Sequence, residues 1–515
     1  MKHFTLLFLF STLCFHAQAQ QTTTEAITET PQGTLYDNMY RFSGAYEAAS
    51  LGNGRFTISD GVVGSLVVAE DGSFYMKDPF SRFAYGSWIK GQLSNDTVTF
   101  QFPQFIYSEV SPPYTLNCHT MRMRVNAKGD AFETDPTSQQ MKFLWKNGQL
   151  TQLEEDAILG MVAIIPEMNN MQVYVGYADY DIRFLPAPST AVTPPADLQT
   201  ETYMLNYWPD DEQEDYRMVQ VGIKDGNIYM NNISNSNPQA WISGAYDGNS
   251  ARFFSGIYLG KSYRLNPYDP DQHIFFMPAR EVKQVYQSGS YTSNFYTAAH
   301  IDFQLDPETG ALCSDSVLTA NTGITRIYAE TIFRQPSIQP FNETAGTPAD
   351  PLFIRYVPYD ASHGFGFMII NMPKLTTDGN QMNLDKLFYN IYLDDEIMTF
   401  YPDEYWYIDE EMNDMPYAHV DKRDFSIDAN LHTLFFYQAG FDRIGVQMIY
   451  RGGGEEHKSN IVYYTEETNS MALVSNNANN EHASNAIYDM QGRRANNSML
   501  RKGMYIKNGK KFIIK

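Results

Sequence analysis

Asp395, Glu396, Asp403, Glu404, Asp409, Glu410 and Glu411 crowd positions 394–414, a stretch without Lys or Arg. Hard cations need several oxygen ligands, so calcium at 394–414 is one expectation. The spacing does not follow the EF-hand pattern and lacks its central glycine. A solvated loop with aromatics packed beneath is the competing reading. Tyr405, Trp406 and Tyr407 sit inside this stretch. Exposed aromatic faces stack against the C–H surfaces of sugars, so these three are the expected binding residues.

Other chemistry finds little support. The ten histidines show neither His-x-x-x-His nor His-Glu-x-x-His spacing, which argues against zinc hydrolysis. No Gly-x-Ser-x-Gly elbow presents a nucleophilic serine. Gly452-Gly453-Gly454 lacks the Lys-Ser/Thr of a phosphate loop and reads as a hairpin turn. A glycosidase needs two carboxylates flanking one bond, and spacing pairs none of the 60 acidic residues. No catalytic residue is assigned. A non-enzymatic binding or adhesion protein for glycan or protein is the leading reading. A secreted β-barrel hydrolase of polysaccharide or peptide is the alternative. The net charge of −23 argues against DNA or RNA, whose phosphates need clustered Lys and Arg.

The elements that hold these residues read as β-strands. Tyr (36) and Phe (33) are abundant in 515 residues, and such side chains suit pleated, half-buried surfaces. Residues 221–259 repeat a pattern already present at 68–107. The matched pairs are Asp71-Gly72 with Asp225-Gly226, Tyr75-Met76 with Tyr229-Met230, Trp88 with Trp241, Gly91 with Gly244, and Phe100 with Phe253. The offset at the Tyr is 154 residues (229 minus 75). Two copies of one larger unit are expected, at 36–190 and 200–332. Each carries about eight short strand patterns, which suits a closed barrel or a sandwich. The recurring Trp points to a shared structural task.

Residues 336–466 carry about seven strand patterns and read as a two-sheet sandwich. Asp378-Gly379-Asn380 and the runs 387–396 and 443–454 resemble fibronectin type III or immunoglobulin-like modules, which act as spacers or binding platforms. Residues 467–485 are Asn-rich, cannot bury enough apolar surface, and form a tether. The expected fold is all-β: two homologous antiparallel β barrel or sandwich units, an immunoglobulin-like sandwich and a small C-terminal β domain.

Residues 1–19 read as a signal peptide. Lys2 precedes an apolar run at 4–15, and Ala17-Gln18-Ala19 sets cleavage between Ala19 and Gln20. Residues 20–35 are Thr-, Gln- and Glu-rich and read as a flexible lead-in. No later run is long and apolar enough to span a membrane as a helix. Cys118 and Cys313 remain after cleavage. They read as two buried thiols, with pairing open in an oxidising compartment.

The last segment, 486–515, is basic against an acidic body. Strand patterns fall at Ile487-Tyr488, 504–507 and 511–514, with Asn508-Gly509 as a hairpin turn. Tyr488-Asp489-x-x-Gly492-Arg493, Gly503-x-Tyr505-Ile506 and Asn508-Gly509-Lys510-Lys511 resemble the C-terminal sorting domain of type IX secretion cargo in Bacteroidetes. The whole chain is similar to secreted Bacteroidales β-repeat proteins with Asp-Gly-x-x-Tyr units, a Trp-x-x-Gly follow-up and such a tail. The resemblance implies export, the type IX machinery as partner, and a secreted or outer-membrane surface location. It implies no particular activity. Asp96-Thr97-Val98 and Asp315-Ser316-Val317 match the O-glycosylation acceptor pattern of exported Bacteroidetes proteins, which makes Thr97 and Ser316 candidate modification sites.

Overall fold

The structure, a computed structural model, describes residues 25–47, 55–126, 132–209, 214–262, 270–286, 291–405, 407–421 and 423–465. In the tail it describes 487–489, 494–495, 503–507 and 510–514. The signal segment with Ala19 and Gln20, Trp406 and the stretch 467–485 lie outside the described residues. Among those described, no helix is long and apolar enough to cross a membrane. The chain divides into two compact units, Met1–Pro340 and Phe341–Lys515.

The first unit opens with β1 (Thr34–Glu47), β2 (Arg55–Val68), β3 (Ser73–Lys77), β4 (Trp88–Ser94), β5 (Thr97–Gln101) and β6 (Gln104–Ser111). There follow β7 (Tyr114–Val125), β8 (Phe132–Thr134), β9 (Gln140–Lys146), β10 (Gln149–Gln152), β11 (Ile158–Ile165) and β12 (Met171–Leu185). Hydrogen bonds run β1-β2-β3-β4-β5-β9-β10-β12, and β12 returns to β1 with Leu185 opposite Tyr40. Eight antiparallel strands thus close a barrel and hide their edges. β12 also pairs with β11, which leads on to β7 and β6.

The second set is β13 (Glu201–Trp208), β14 (Asp215–Lys224), β15 (Asn227–Met230), β16 (Ile242–Tyr246), β17 (Ser250–Phe254) and β18 (Ile257–Lys261). It continues with β19 (His273–Phe276), β20 (Ala279–Val285), β21 (Tyr291–Thr297), β22 (His300–Leu305), β23 (Leu312–Cys313), β24 (Val317–Thr322) and β25 (Ala329–Pro340). The order β13-β14-β15-β16-β17-β22-β23-β25, closed by β25 on β13, repeats the first barrel strand for strand. The counterpart of β7 is split into β19 and β20, with Pro278 in the gap between them. Proline has no N–H for a ladder.

Period-two alternation sends the apolar side chains inward. Val98 and Phe100 on β5 match Ala251 and Phe253 on β17, and all four are buried. Met141 and Phe143 on β9 match Ile301 and Phe303 on β22. Each barrel has its own core. Asn147 (φ 53) and Gly148 (φ 71) form the left-handed pair that the hairpin between β9 and β10 needs.

The two tryptophans share a task. The Trp88 N–H donates to the Ile27 carbonyl at 2.8 Å, and Trp241 forms the same antiparallel bridge with Val192. Each Trp position receives the segment that leads into its own barrel. The lead-in, expected to be flexible through residue 35, is therefore tied at Ile27 and joins β1 at Thr34. β25 also runs to Pro340, beyond the expected end of the repeat at 332. Pro336 is accommodated because Gln335 (φ 48) makes a bulge beside it.

In the second unit, β26 (Leu352–Asp360), β27 (Phe365–Asn371), β32 (Leu431–Phe436) and β31 (Phe425–Asp428) form one sheet in that order. β28 (Leu387–Leu393) and β33 (Ile444–Tyr450) centre a second. They pair with the short strands β29 (Glu396–Ile397), β30 (Met415–Pro416), β34 (His457–Lys458) and β35 (Val462–Tyr463). The sheets meet where His432 of β32 packs against Tyr389 of β28, with ring centres 5.9 Å apart. In the tail, β36 (Ile487–Asp489), β37 (Arg494–Ala495), β38 (Gly503–Lys507) and β39 (Lys510–Ile514) form an antiparallel sheet, with Lys507 opposite Lys510.

Candidate functional site

Tyr405 does not form part of an exposed aromatic patch. Tyr405 is fully buried, with its ring 5.2 Å from Phe400, 5.6 Å from Phe425 and 5.5 Å from Tyr437. Successive turns explain this. The Tyr405 N–H bonds to the Tyr401 carbonyl and the Ile408 N–H to the Tyr405 carbonyl, and both side chains enter the core. Burial pushes the Tyr405 hydroxyl well above its usual pKa. Tyr407 is half-buried, and Trp406 lies outside the described residues.

Three carboxylates of 394–414 are held by neighbouring donors. Asp394 accepts the N–H groups of Asp442 and Arg443, Asp395 pairs with Arg443, and Asp414 takes Asn390 and Arg451. Among the described residues no three His, Cys, Asp or Glu side chains converge in a way that could hold a metal. Thr97 is half-buried at the start of β5, whereas Ser316 is exposed just before β24. Cys118 and Cys313 are unpaired. Burial raises the Cys118 thiol to a pKa of about 11, so it stays protonated and unreactive.

Chemistry gathers instead between the two barrels of the first unit. Val63 on β2 donates its N–H to the Asp271 carbonyl at 2.9 Å, and Val62 bridges Gln272. The Asp60 carboxylate accepts the N–H groups of Ile324 (3.1 Å) and Thr325 (2.7 Å) and the Thr325 hydroxyl (2.6 Å). A Cβ on Gly61 would lie 2.7 Å from Gly323 Cα, so the backbones meet where only glycine fits. Tyr40 packs on Phe275 and stacks on His273, at 6.0 Å in each case.

Beside this seam lies a cleft of about 120 Å³. A bulge in β1 between Tyr36 and Met39, with Asn38 at φ 56, delivers Asp37 and Asn38 to it. The end of β3 supplies Lys77 and Asp78, and the second barrel supplies Lys261 and Asp271. Asp78 also holds a left-handed φ of 46. Asn and Asp tolerate that region because their short side chains bond locally.

Arg41 forms the floor of the cleft. It is 1% exposed and sends NH1 to the Asp78 carbonyl (2.9 Å) and NH2 to the Pro79 carbonyl (2.8 Å) and to Asp179 (2.8 Å). Ser43 and the Ser81 N–H complete the shell of Asp179. Burial pulls the Arg41 pKa down, and the Asp179 charge works against that fall. By gripping two carbonyls just after β3, Arg41 fixes the segment that presents Lys77.

The cleft's acceptors are largely used, whereas the donors of its two lysines are not. Asp37 accepts from Ser65 (2.7 Å) and Asn38, which holds its carboxyl below the usual range, helped by the charges of Lys261 and Lys77. Asp78 accepts the N–H groups of Tyr85 (2.8 Å) and Gly86 (2.7 Å). Lys261 gives one bond, to Asn38 at 3.0 Å. The Lys77 ammonium makes no hydrogen bond to any described residue and lies 5.9 Å from the centre of the Trp88 ring. The buried Nε of Arg41 also lacks a partner. A group rich in acceptors, above all an anionic one, complements this arrangement.

Apart from Arg41 these cleft residues do not stand out in the sequence, because they come from four separate stretches that only the joined barrels bring together. The one local signal is Arg41, a charged residue at an inward position of an apolar strand. No family model and no curated protein matches the chain.

Proposed function

We propose that this chain is an exported, non-enzymatic binding protein whose inter-barrel cleft receives the acid group of a glycan. The observation that carries the reading is Lys77, an ammonium without a hydrogen-bond partner among the described residues, in a cleft that Lys261 and Arg41 also line. A cleft of about 120 Å³ suits one carboxylate- or sulfate-bearing end of a sugar rather than a whole oligosaccharide. The carboxylates Asp37 and Asp78 are occupied by local donors and serve to orient, not to exchange protons.

The test is calorimetric titration of the chain from Gln20 onward with oligogalacturonate, with neutral dextran as comparator. The acidic oligomer is expected to bind and the neutral one not, with affinity falling as salt rises. Lys77→Met is expected to weaken binding about tenfold, or ~1.4 kcal/mol. Equal binding of both oligomers, or no effect of Lys77→Met, overturns the reading. Shortened products in the same samples, seen by mass spectrometry, favour the hydrolase instead.

Export is part of the proposal. The signal-like residues 1–19 and the sorting-type motifs of 486–515 support passage through the type IX machinery to the surface or medium. Deletion of 486–515 is expected to leave the chain in the periplasm, as read by cell fractionation.

A further inference from the structure

We infer that β21 is the seam of a homodimer, pairing antiparallel with β21 of a second copy about a two-fold axis at Asn294. Among the described residues β21 pairs only with β20, so one edge of a seven-residue strand is open. Alternate residues of 292–297 turn backbone N–H and C=O groups toward that edge.

Proteins usually protect such edges with charge, proline or short length. The first barrel does so: its counterpart, β8, is three residues long and ties Glu133 to Arg124 at 2.8 Å. β21 has none of these devices. It reads Tyr-Thr-Ser-Asn-Phe-Tyr-Thr from 291 to 297 and carries no charge. Its hairpin exposes Val285 (70%), Tyr296 (53%) and Tyr291 (46%).

The strand is complementary to itself. Around Asn294, Tyr291 falls opposite Thr297 of the copy, Thr292 opposite Tyr296, and Ser293 opposite Phe295. Every aromatic ring meets a small hydroxyl side chain, and aromatic residues pair well with threonine across strands. Each contact occurs twice, as an isologous interface requires. Charge permits the approach only in such a place. The chain as a whole is at −23, whereas β20 and β21 together carry Arg280, Lys283 and Glu281, with Glu281 bonded to Arg334.

The experiment is sedimentation velocity on the chain from Gln20 onward across a micromolar concentration series. The expected mass is twice that of the chain. Asn294→Lys puts two ammoniums face to face on the axis and is expected to return the monomer with an unchanged circular dichroism spectrum. Asn294→Cys puts two thiols opposite one another and is expected to give a covalent dimer on mild oxidation. Thr297→Cys, opposite Tyr291, is expected to give none. A wild-type chain that stays monomeric, an Asn294→Lys variant that stays dimeric, or equal cross-linking at 294 and 297 overturns the inference.

Discussion

Arg41 and Asp179 form an ion pair 2.8 Å apart inside the first barrel, at the strand positions that Leu205 and Phe333 fill in the second. Phe184 lies opposite Arg41 as Ile338 lies opposite Leu205, and the bulges in β12 and β25 then align Asp179 with Phe333. All four residues are buried. One barrel therefore spends core positions on charge where its twin keeps them apolar, and the charged one builds the cleft.

Asp179→Ala leaves the Arg41 guanidinium buried without its counter-ion. A loss of ~3–5 kcal/mol is expected in urea unfolding. The double variant Arg41→Leu, Asp179→Phe copies the second barrel and is expected to recover that loss, since apolar replacements of buried pairs are often neutral or stabilising. It is also expected to lose oligogalacturonate binding, because nothing then grips the Asp78 and Pro79 carbonyls.

Gly91 faces Phe100 and Gly244 faces Phe253 across neighbouring strands. A Cβ at Gly91 would meet the Thr99 carbonyl oxygen at 3.0 Å and the Phe100 ring at 3.1 Å, whereas one at Gly244 would meet the Arg252 carbonyl oxygen at 2.4 Å and the Phe253 ring at 2.9 Å. Both sites face a backbone carbonyl and a ring, and the approach at Gly244 is the tighter by about 0.6 Å at the carbonyl. Gly244→Ala is therefore expected to lower the melting temperature more than Gly91→Ala, with overpacking costing ~1–3 kcal/mol.

Asp60 straps the barrels together through Ile324 and Thr325. Asp60→Ala strips those donors of their acceptor at a cost of ~1–3 kcal/mol. Faster amide hydrogen exchange is expected at Ile324 and Thr325, with β9 and β22 unchanged. Uniform acceleration across both barrels would instead mean that Asp60 stabilises the whole unit rather than the seam.

His432 is 3% exposed, packed between Tyr389 and Tyr417. Burial, and then the charge of Lys374, depress its pKa to about 3. Above pH ~6.5 folded and unfolded chains both hold a neutral imidazole. Below that, the unfolded chain takes up a proton that the folded one refuses until about pH 3. Stability is therefore expected to fall as pH drops through this window, by up to ~1.4 kcal/mol per pH unit from this group. Urea midpoints between pH 7 and 4 test it, and His432→Leu is expected to flatten the slope.

Local pattern carries well in this chain. Alternation at 73–77, 97–101 and 250–254 marks β3, β5 and β17, and the recurring Trp-Ile-x-Gly marks the repeat. The strands that close the first barrel are less legible. β1 and β12 place Arg41 and Asp179 at buried positions, which breaks the apolar rhythm. The reading at Tyr405 fails for a related reason. An aromatic among carboxylates looks exposed, yet two successive turns drive it inward while its acidic neighbours face solvent or local donors.

The sequence by itself determined an all-β chain, its acidity and its duplication, because strand patterns rest on neighbours within a few residues and the duplication on one pattern recurring at a fixed offset. Only the tertiary structure decided that eight strands close into each barrel and that Arg41, Lys77 and Lys261 share one cleft. Closure depends on the register between β1 and β12, more than a hundred residues apart in the chain, and the cleft on how one barrel docks against the other. Such long-range pairing is set by which faces can be buried together, a property of the assembled surfaces rather than of any one stretch.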